Sequence, residues 1–181
     1  MLQSPFAFYR GSAILMADDL GLNRKNSGLM AQLCGDAHLA NFGIFASPDR
    51  SLIFDINDFD ETHEGPFEWD VMRLVASCWL LARDNGFSEA EQRKICLHAA
   101  GVYRCEMHRY AGMAEIDIWF ERTELEDLRA TLHKVSGKSG IKRLEAGFAK
   151  ALNRGNLSAV QKFTEVVDGE RRFINLPPGL I

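Results

Sequence analysis

Two aromatic-rich apolar runs, residues 42–46 and 51–56, flank the short segment Ser47-Pro48-Asp49-Arg50. Proline presets the backbone angle that a turn needs, so the two runs predict an antiparallel hairpin. A hairpin returns the end of its second strand to the start of its first. Whatever precedes residue 42 therefore meets whatever follows residue 56, and both flanks are polar. One is Cys34-Gly35-Asp36-Ala37-His38-Leu39-Ala40-Asn41, and the other is Phe54-Asp55-Ile56-Asn57-Asp58-Phe59-Asp60-Glu61. Any fold this chain adopts has to accommodate that convergence of carboxylates, an amide and an imidazole.

Helical periodicity accounts for most of the rest. Ile14, Leu15, Ala17 and Leu20 predict a short helix over 13–20, with Gly21 as its stop. Residues 29–33 read as a buried strand or a turn feeding the first polar flank. After Gly65-Pro66, the residues Val71, Leu74, Val75, Cys78, Leu81 and Ala82 share one helical face. Trp69 and Trp79 widen it, which predicts a helix buried on more than one side. Ser88 and Glu91 form a capping box, each satisfying an orphan backbone N–H, and open a long helix over about 89–111. Thr123 and Glu126 suggest the same device before Leu125, Leu128 and Leu132, and a further helix is expected over about 141–152. Asp168-Gly169, the favoured pair for a tight turn, predicts a second hairpin from residues 163–167 and 171–175.

Composition removes several classes of function. With 21 Lys and Arg against 25 Asp and Glu, the net charge of -4 argues against a nucleic-acid binder working through bulk charge. Cys34, Cys78, Cys96 and Cys105 show no CxxC pairing and no zinc-site spacing, so reduced thiols are expected. No apolar run is long enough to span a membrane, and residues 1–11 lack a signal-peptide layout, which places the protein in the cytoplasm.

The converging oxygens suit a hard cation. Magnesium takes one or two protein carboxylates, keeps waters and completes its shell with phosphate oxygens. Asn41 would supply a neutral oxygen and Asp58 a charged one, leaving Asp36 to accept a hydroxyl proton. The same residues would also serve a polar turn, with Asp36 in local backbone hydrogen bonds. His38 reads as a loop-orienting residue, and Asp60, Glu61 and Glu64 as a solvated acidic turn. Arg10 follows Phe6, Phe8 and Tyr9, and either snorkels over an apolar patch or binds substrate phosphate. Arg73 either pairs with an acid of the site loop or points to solvent. Asp70 in the first turn of its helix complements the helix dipole. His98, His108 and His133 have no partners at ligand spacing.

Gly35-Asp36-x-His38-x-x-Asn41, a hairpin and then Asp58-Phe59-Asp60 resemble the catalytic and metal-binding loops of the protein-kinase-like fold, in the form used by aminoglycoside and choline phosphotransferases. Gly65-Pro66-Phe67-Glu68-Trp69-Asp70 extends the likeness. The resemblance implies Asp36 as catalytic base, Asn41 and Asp58 as magnesium ligands, Asp70 as a brace of the catalytic loop, and ATP with Mg2+ as cofactors. Asp55 competes with Asp58 for the second ligand position, since the register against the family pattern slips by three residues. Residues 4–11, the Cys-Gly-Asp-Ala-His segment, Asn57 to Glu61, and Trp69-Asp70 with Arg73-Leu74 look like the bacterial domain of unknown function 2252 family. That closer likeness covers about residues 4–90 and implies no substrate.

The expected fold is therefore α+β and mainly helical, resembling the C-terminal catalytic lobe of the kinase-like fold, with a β-hairpin carrying the site and the nucleotide lobe largely absent. No Gly-x-Gly-x-x-Gly and no strand lysine stand ready for ATP phosphates, and Ser136-Gly137-Lys138-Ser139 fails as a P-loop because Leu132 occupies the first glycine position. Residues 1–160 are expected to form the catalytic lobe, and 161–181 a hairpin and a linker through Pro177-Pro178 towards a missing lobe or partner chain. The expected activity is phosphotransfer from nucleotide to an unknown small-molecule or protein acceptor, with no nucleic-acid or membrane partner. A non-catalytic binding module is the alternative. A metal-dependent phosphoesterase, suggested by Asp36-x-His38, lacks the further His-bearing segments that a two-metal site needs.

Overall fold

The structure, a computed structural model, describes residues 4–22, 26–49, 51–137 and 163–174, together with 140–142, 145, 146, 148 and 149. The fold is α+β, with small antiparallel sheets among mainly helical elements. The chain divides into two compact units, Met1–Leu125 and Glu126–Ile181.

In the first unit, helices α1 (Pro5–Arg10) and α2 (Ala13–Leu22) precede strand β1 (Met30–Leu33). A single 3-10 turn (Leu39–Asn41) leads into β2 (Phe42–Ala46) and β3 (Leu52–Ile56), followed by β4 (His63–Pro66). Helices α3 (Glu68–Asp84), α4 (Glu89–Tyr110) and α5 (Glu115–Phe120) complete it. The hairpin stands as the turn chemistry requires, with Phe42 opposite Ile56 and Ala46 opposite Leu52. The capping box is formed in full: Ser88 and Glu91 each take the other's backbone N–H at the start of α4.

Helix α3 is the centre of this unit. Tyr103 of α4 stacks on Phe67 at 6.3 Å between ring centroids, and the Cys96 thiol donates to the Val75 carbonyl at 3.4 Å. On another side, the Tyr9 hydroxyl of α1 donates to the Arg73 carbonyl at 3.1 Å. Burial on several sides, expected from the two tryptophans, is what the structure has: only Met72 and the last two residues of α3 are exposed.

Several local expectations are revised. Residues 13–20 continue helical through Gly21 to Leu22. Of β1 only Leu33 is buried, so the strand is not the buried one its apolar run suggests. Helix α6 (Leu125–Val135) starts one residue later than a Thr123 cap would give, because Glu124 bridges Ile53 and the Thr123 carbonyl accepts from the Phe54 N–H at 2.9 Å. Helices α1 and α5 were not anticipated; proline at N1 and the Ser4 hydroxyl accepting from the Ala7 N–H account for the first.

In the second unit, Glu145 takes both Arg129 nitrogens at 2.8 Å and lies 2.6 Å from His133 Nε2. Strands β5 (Thr164–Val167) and β6 (Glu170–Phe173) form the second hairpin. Asp168 (φ 54°) and Gly169 (φ 80°) supply the two left-handed residues its turn demands. The segment read as helix over 141–152 lies in part, and Pro177-Pro178 wholly, outside the described residues. All four cysteines are free. Among the described residues no helix is long and apolar enough to cross a membrane.

Candidate functional site

The polar flanks are brought together by two nested ladders. The β2–β3 hairpin is the inner one. The outer one pairs β1 with β4, Met30 opposite Pro66 and Leu33 opposite His63. Residues 34–41 and 57–62 are therefore the two arms of one bracket and lie side by side. The Asn57 N–H donates to the Asn41 carbonyl at 2.8 Å, the Cys34 thiol to the Asp58 carbonyl at 3.5 Å, and the Thr62 hydroxyl to the Leu33 carbonyl at 2.6 Å. Gly35, at φ 84°, makes the closest approach: a Cβ there would collide with the Glu61 carbonyl. Only glycine satisfies both the left-handed backbone and the missing space.

Helix α3 fixes the first arm with a polar stripe. Asp70, Arg73 and Ser77 follow at spacings of three and four, one face of a helix. Asp70 accepts from the Cys34 N–H at 2.7 Å and the Gly35 N–H at 3.1 Å. Arg73 Nε donates to Asp36 Oδ1. Ser77 accepts from the Leu39 N–H at 3.0 Å and donates to the Leu74 carbonyl at 2.7 Å. Arg73 and Ser77 are 2% and 0% exposed, so these contacts are made out of water, where leaving a polar group unpaired costs about 1–3 kcal/mol. The guanidinium is held further by the Tyr9 carbonyl, 2.8 Å from Nη2, and by the Tyr9 ring at 4.3 Å.

Asp36, His38 and Asn41 are each buried. His38 Nε2 lies 3.4 Å from Asp36 Oδ2, and its Nδ1 is buried with no hydrogen-bond partner among the described residues. Burial pushes the His38 pKa below its ordinary value; Asp36 opposes that shift, and Arg73 and Arg10 add to it. The ring is therefore neutral at pH 7. Asn41 Nδ2 donates to the Asp36 and Asp58 carbonyls, both at 3.0 Å. Two carbonyl partners fix which end of the amide is nitrogen, and no hydrogen bond among the described residues ends on Asn41 Oδ1. Burial also pushes the Cys34 thiol above its ordinary value, so it serves as packing and as a weak partner of Asn41.

An open cleft of about 450 Å3 is lined by Arg10, Asp36, His38, Asn41, Asp58 and Glu61, with small residues of α1 and the loop between them. Of the residues singled out in the sequence, the structure thus brings Asp36, His38, Asn41, Asp58 and Arg10 to one place. Arg73 and Asp70 stand behind Asp36. Asp55 does not line this cleft: it sits on β3 opposite Gly43, with Oδ1 accepting from the Ile56 N–H at 2.8 Å. Asp58 Oδ1 accepts from the Asp60 N–H at 3.1 Å. Sequence reasoning missed Tyr9, Gly35 and Ser77. For Ser77 a signal existed, namely a small polar residue at helical spacing from Asp70 and Arg73 on a helix otherwise apolar.

Among the described residues no group of three or more His, Cys, Asp and Glu is arranged to hold a metal. A cation that needs fewer protein carboxylates, as magnesium does, is compatible with the oxygens present.

Fold and site together define an α+β protein in which a nested β bracket presses a Gly-Asp-x-His loop onto one central helix. The chain belongs to the bacterial family described as "Uncharacterized protein conserved in bacteria (DUF2252)", whose model matches residues 1–181. No curated protein and no solved structure matches it.

Proposed function

We propose that the cleft is a magnesium-dependent phosphoryl-transfer site of the kinase-like kind. The observation that carries this reading is the convergence of Asp36, Asn41 and Asp58 on one cleft, with Asp70 holding the backbone of the Asp36 loop. Arg73 Nε donates to Asp36 Oδ1, so Oδ2, which His38 Nε2 faces at 3.4 Å, is the oxygen that would receive a proton from an acceptor hydroxyl. As that proton moves to Asp36, the acceptor oxygen bonds to phosphorus and the bond from phosphorus to its nucleoside diphosphate leaving group breaks. Phosphoryl transfer proceeds through a loose transition state, in which positioning outweighs base strength, so a weak carboxylate base suffices.

The donor set fits magnesium. Asn41 Oδ1 and the Asp58 carboxylate would hold it, and the bound ion would neutralise phosphate charge. ATP as donor rests on the family resemblance; the acceptor is left open by the cleft.

The test is magnesium-dependent release of phosphate from ATP by the 181-residue chain. Asp36→Asn is expected to lower turnover by about 10²–10⁴-fold with far-UV circular dichroism unchanged. Equal turnover in that variant removes Asp36 from the role. Failure of Asp58→Asn to weaken magnesium binding removes Asp58.

A second reading, a binding module, is favoured by one feature. An apolar groove of about 820 Å3 runs beside α3, lined by Leu29, Met30, Val71, Met72, Tyr103 and Met107. It would use a different surface from the cleft.

A further inference from the structure

Arg10 ends α1 and lines the cleft, yet it makes no hydrogen bond or ion pair among the described residues. Its backbone is nonetheless tightly placed. The neighbouring Tyr9 grips Arg73 at three points: its hydroxyl donates to the Arg73 carbonyl, its own carbonyl accepts from Nη2, and its ring lies under the guanidinium. The Tyr9 carbonyl also accepts from the buried Ser12 hydroxyl at 3.0 Å. The residue carrying the free guanidinium is therefore tied to the same helix that holds Asp36. Asp58 and Glu61 line the cleft too, but no carboxylate comes within 4.0 Å of Arg10 among the described residues.

Charge counting gives this placement a meaning. Arg10 and Arg73 face Asp36, Asp58 and Glu61, so these five side chains together carry one net negative charge. One divalent cation turns that total one charge positive, and Arg10 is then the cation that no protein carboxylate has claimed. A guanidinium presents five donors in a planar fork that matches two oxygens of a phosphate.

We propose that Arg10 is the oxyanion-reading residue of this cleft, so that the molecule taken there carries a phosphate group which Arg10 grips opposite Asp58. The inference rests on the phosphoryl-transfer reading for its choice of phosphate. Its geometry stands apart from Asp36 chemistry. Two sources of that phosphate exist, the nucleotide donor and a phosphorylated acceptor, and two probes separate them.

The 181-residue chain is titrated calorimetrically at saturating magnesium with glycerol 3-phosphate and, separately, with the non-hydrolysable nucleotide AMPPNP. Because Arg10 is exposed and has no partner among the described residues, Arg10→Gln is expected to keep the unfolding midpoint while weakening at least one probe by about tenfold or more. Arg10→Lys restores part of that affinity. Weakening of glycerol 3-phosphate assigns Arg10 to the acceptor, and weakening of AMPPNP alone assigns it to the donor. Affinities for both probes that ignore Arg10→Gln overturn the proposal, as does a wild-type chain that binds neither. Phosphate binding that depends on Arg10, in a chain whose turnover ignores Asp36→Asn, keeps the anion site and removes the phosphotransferase. Asp36-dependent turnover with affinities blind to Arg10 does the reverse.

Discussion

Replacing Arg73 with methionine tests whether the site loop is held by a buried charge pair. Methionine keeps most of the side-chain volume and removes the guanidinium. The carboxylate of Asp36, a residue 8% exposed, would keep only His38 Nε2 at 3.4 Å among the described residues, and the Tyr9 carbonyl would lose its Nη2 donor. Breaking one partner out of a buried pair costs about 3–5 kcal/mol. Asp36 borders a cleft, where solvent reaches part of its carboxylate, so the low end, about 3 kcal/mol, is expected. Asp36→Asn keeps an acceptor for Arg73 Nε and loses only the charge, at a cost of about 1–2 kcal/mol. The double variant should be less destabilised than the sum of the two, with a coupling of about 1–2 kcal/mol. Urea unfolding followed by tryptophan fluorescence is a suitable assay, since Trp69 and Trp79 lie on α3 itself. With an m-value of about 2 kcal/mol/M, Arg73→Met moves the midpoint down by about 1.5 M. A shift below about 0.5 M at unchanged m, or strict additivity in the double variant, would refute the buried-pair account.

Three further outcomes are expected. His38 is neutral in the folded chain with a pKa held below its ordinary 6.5; as pH falls through that value, the unfolded chain takes up a proton that the folded chain refuses. Its stabilisation is therefore complete above about pH 6.5 and declines below it, by at most about 1.4 kcal/mol per pH unit. His38→Asn flattens that segment of the stability–pH curve, and an unchanged slope counts against a buried neutral ring. Gly35→Ala forces a Cβ into the Glu61 carbonyl at a left-handed backbone position; a thermal melt should show a loss well beyond the roughly 1 kcal/mol of the backbone term alone, and a smaller one means the two arms do not touch. Thiol labelling under native conditions should modify exposed Cys105 first and leave buried Cys34 and Cys78 until unfolding; equal rates would contradict their burial.

Much of the fold was legible because its signals are local. The turn between β2 and β3, the Ser88–Glu91 box and the Asp168-Gly169 turn each lie within a few residues, and each formed as the chemistry of those residues requires. The outer strand pair was not legible. β4 is His63-Glu64-Gly65-Pro66, whose glycine and proline read as a turn. Proline is tolerated there because it terminates an edge strand, at the position opposite Met30. The candidate site was legible as a set of residue types, and Asp58 was separated from Asp55 only when strand register put Asp55 opposite Gly43, away from the cleft. Arg73 had two equally good readings on an apolar helix; its burial at 2% exposure selected the partner over solvent.

By itself, then, the sequence determined the hairpin, the long helices and the arrival of Asp36, Asn41 and Asp58 near one another. Periodicity and turn propensity act over short stretches and leave their mark in neighbouring residues. Tertiary structure alone decided that Asp70, Arg73 and Ser77 read the loop as one stripe, that Gly35 admits no side chain, and that Arg10 lines the cleft without a partner among the described residues. Those facts depend on contacts between segments tens of residues apart. There, the cost of burying a charge or an amide is settled by which group lies opposite, and nothing in the neighbouring sequence records that.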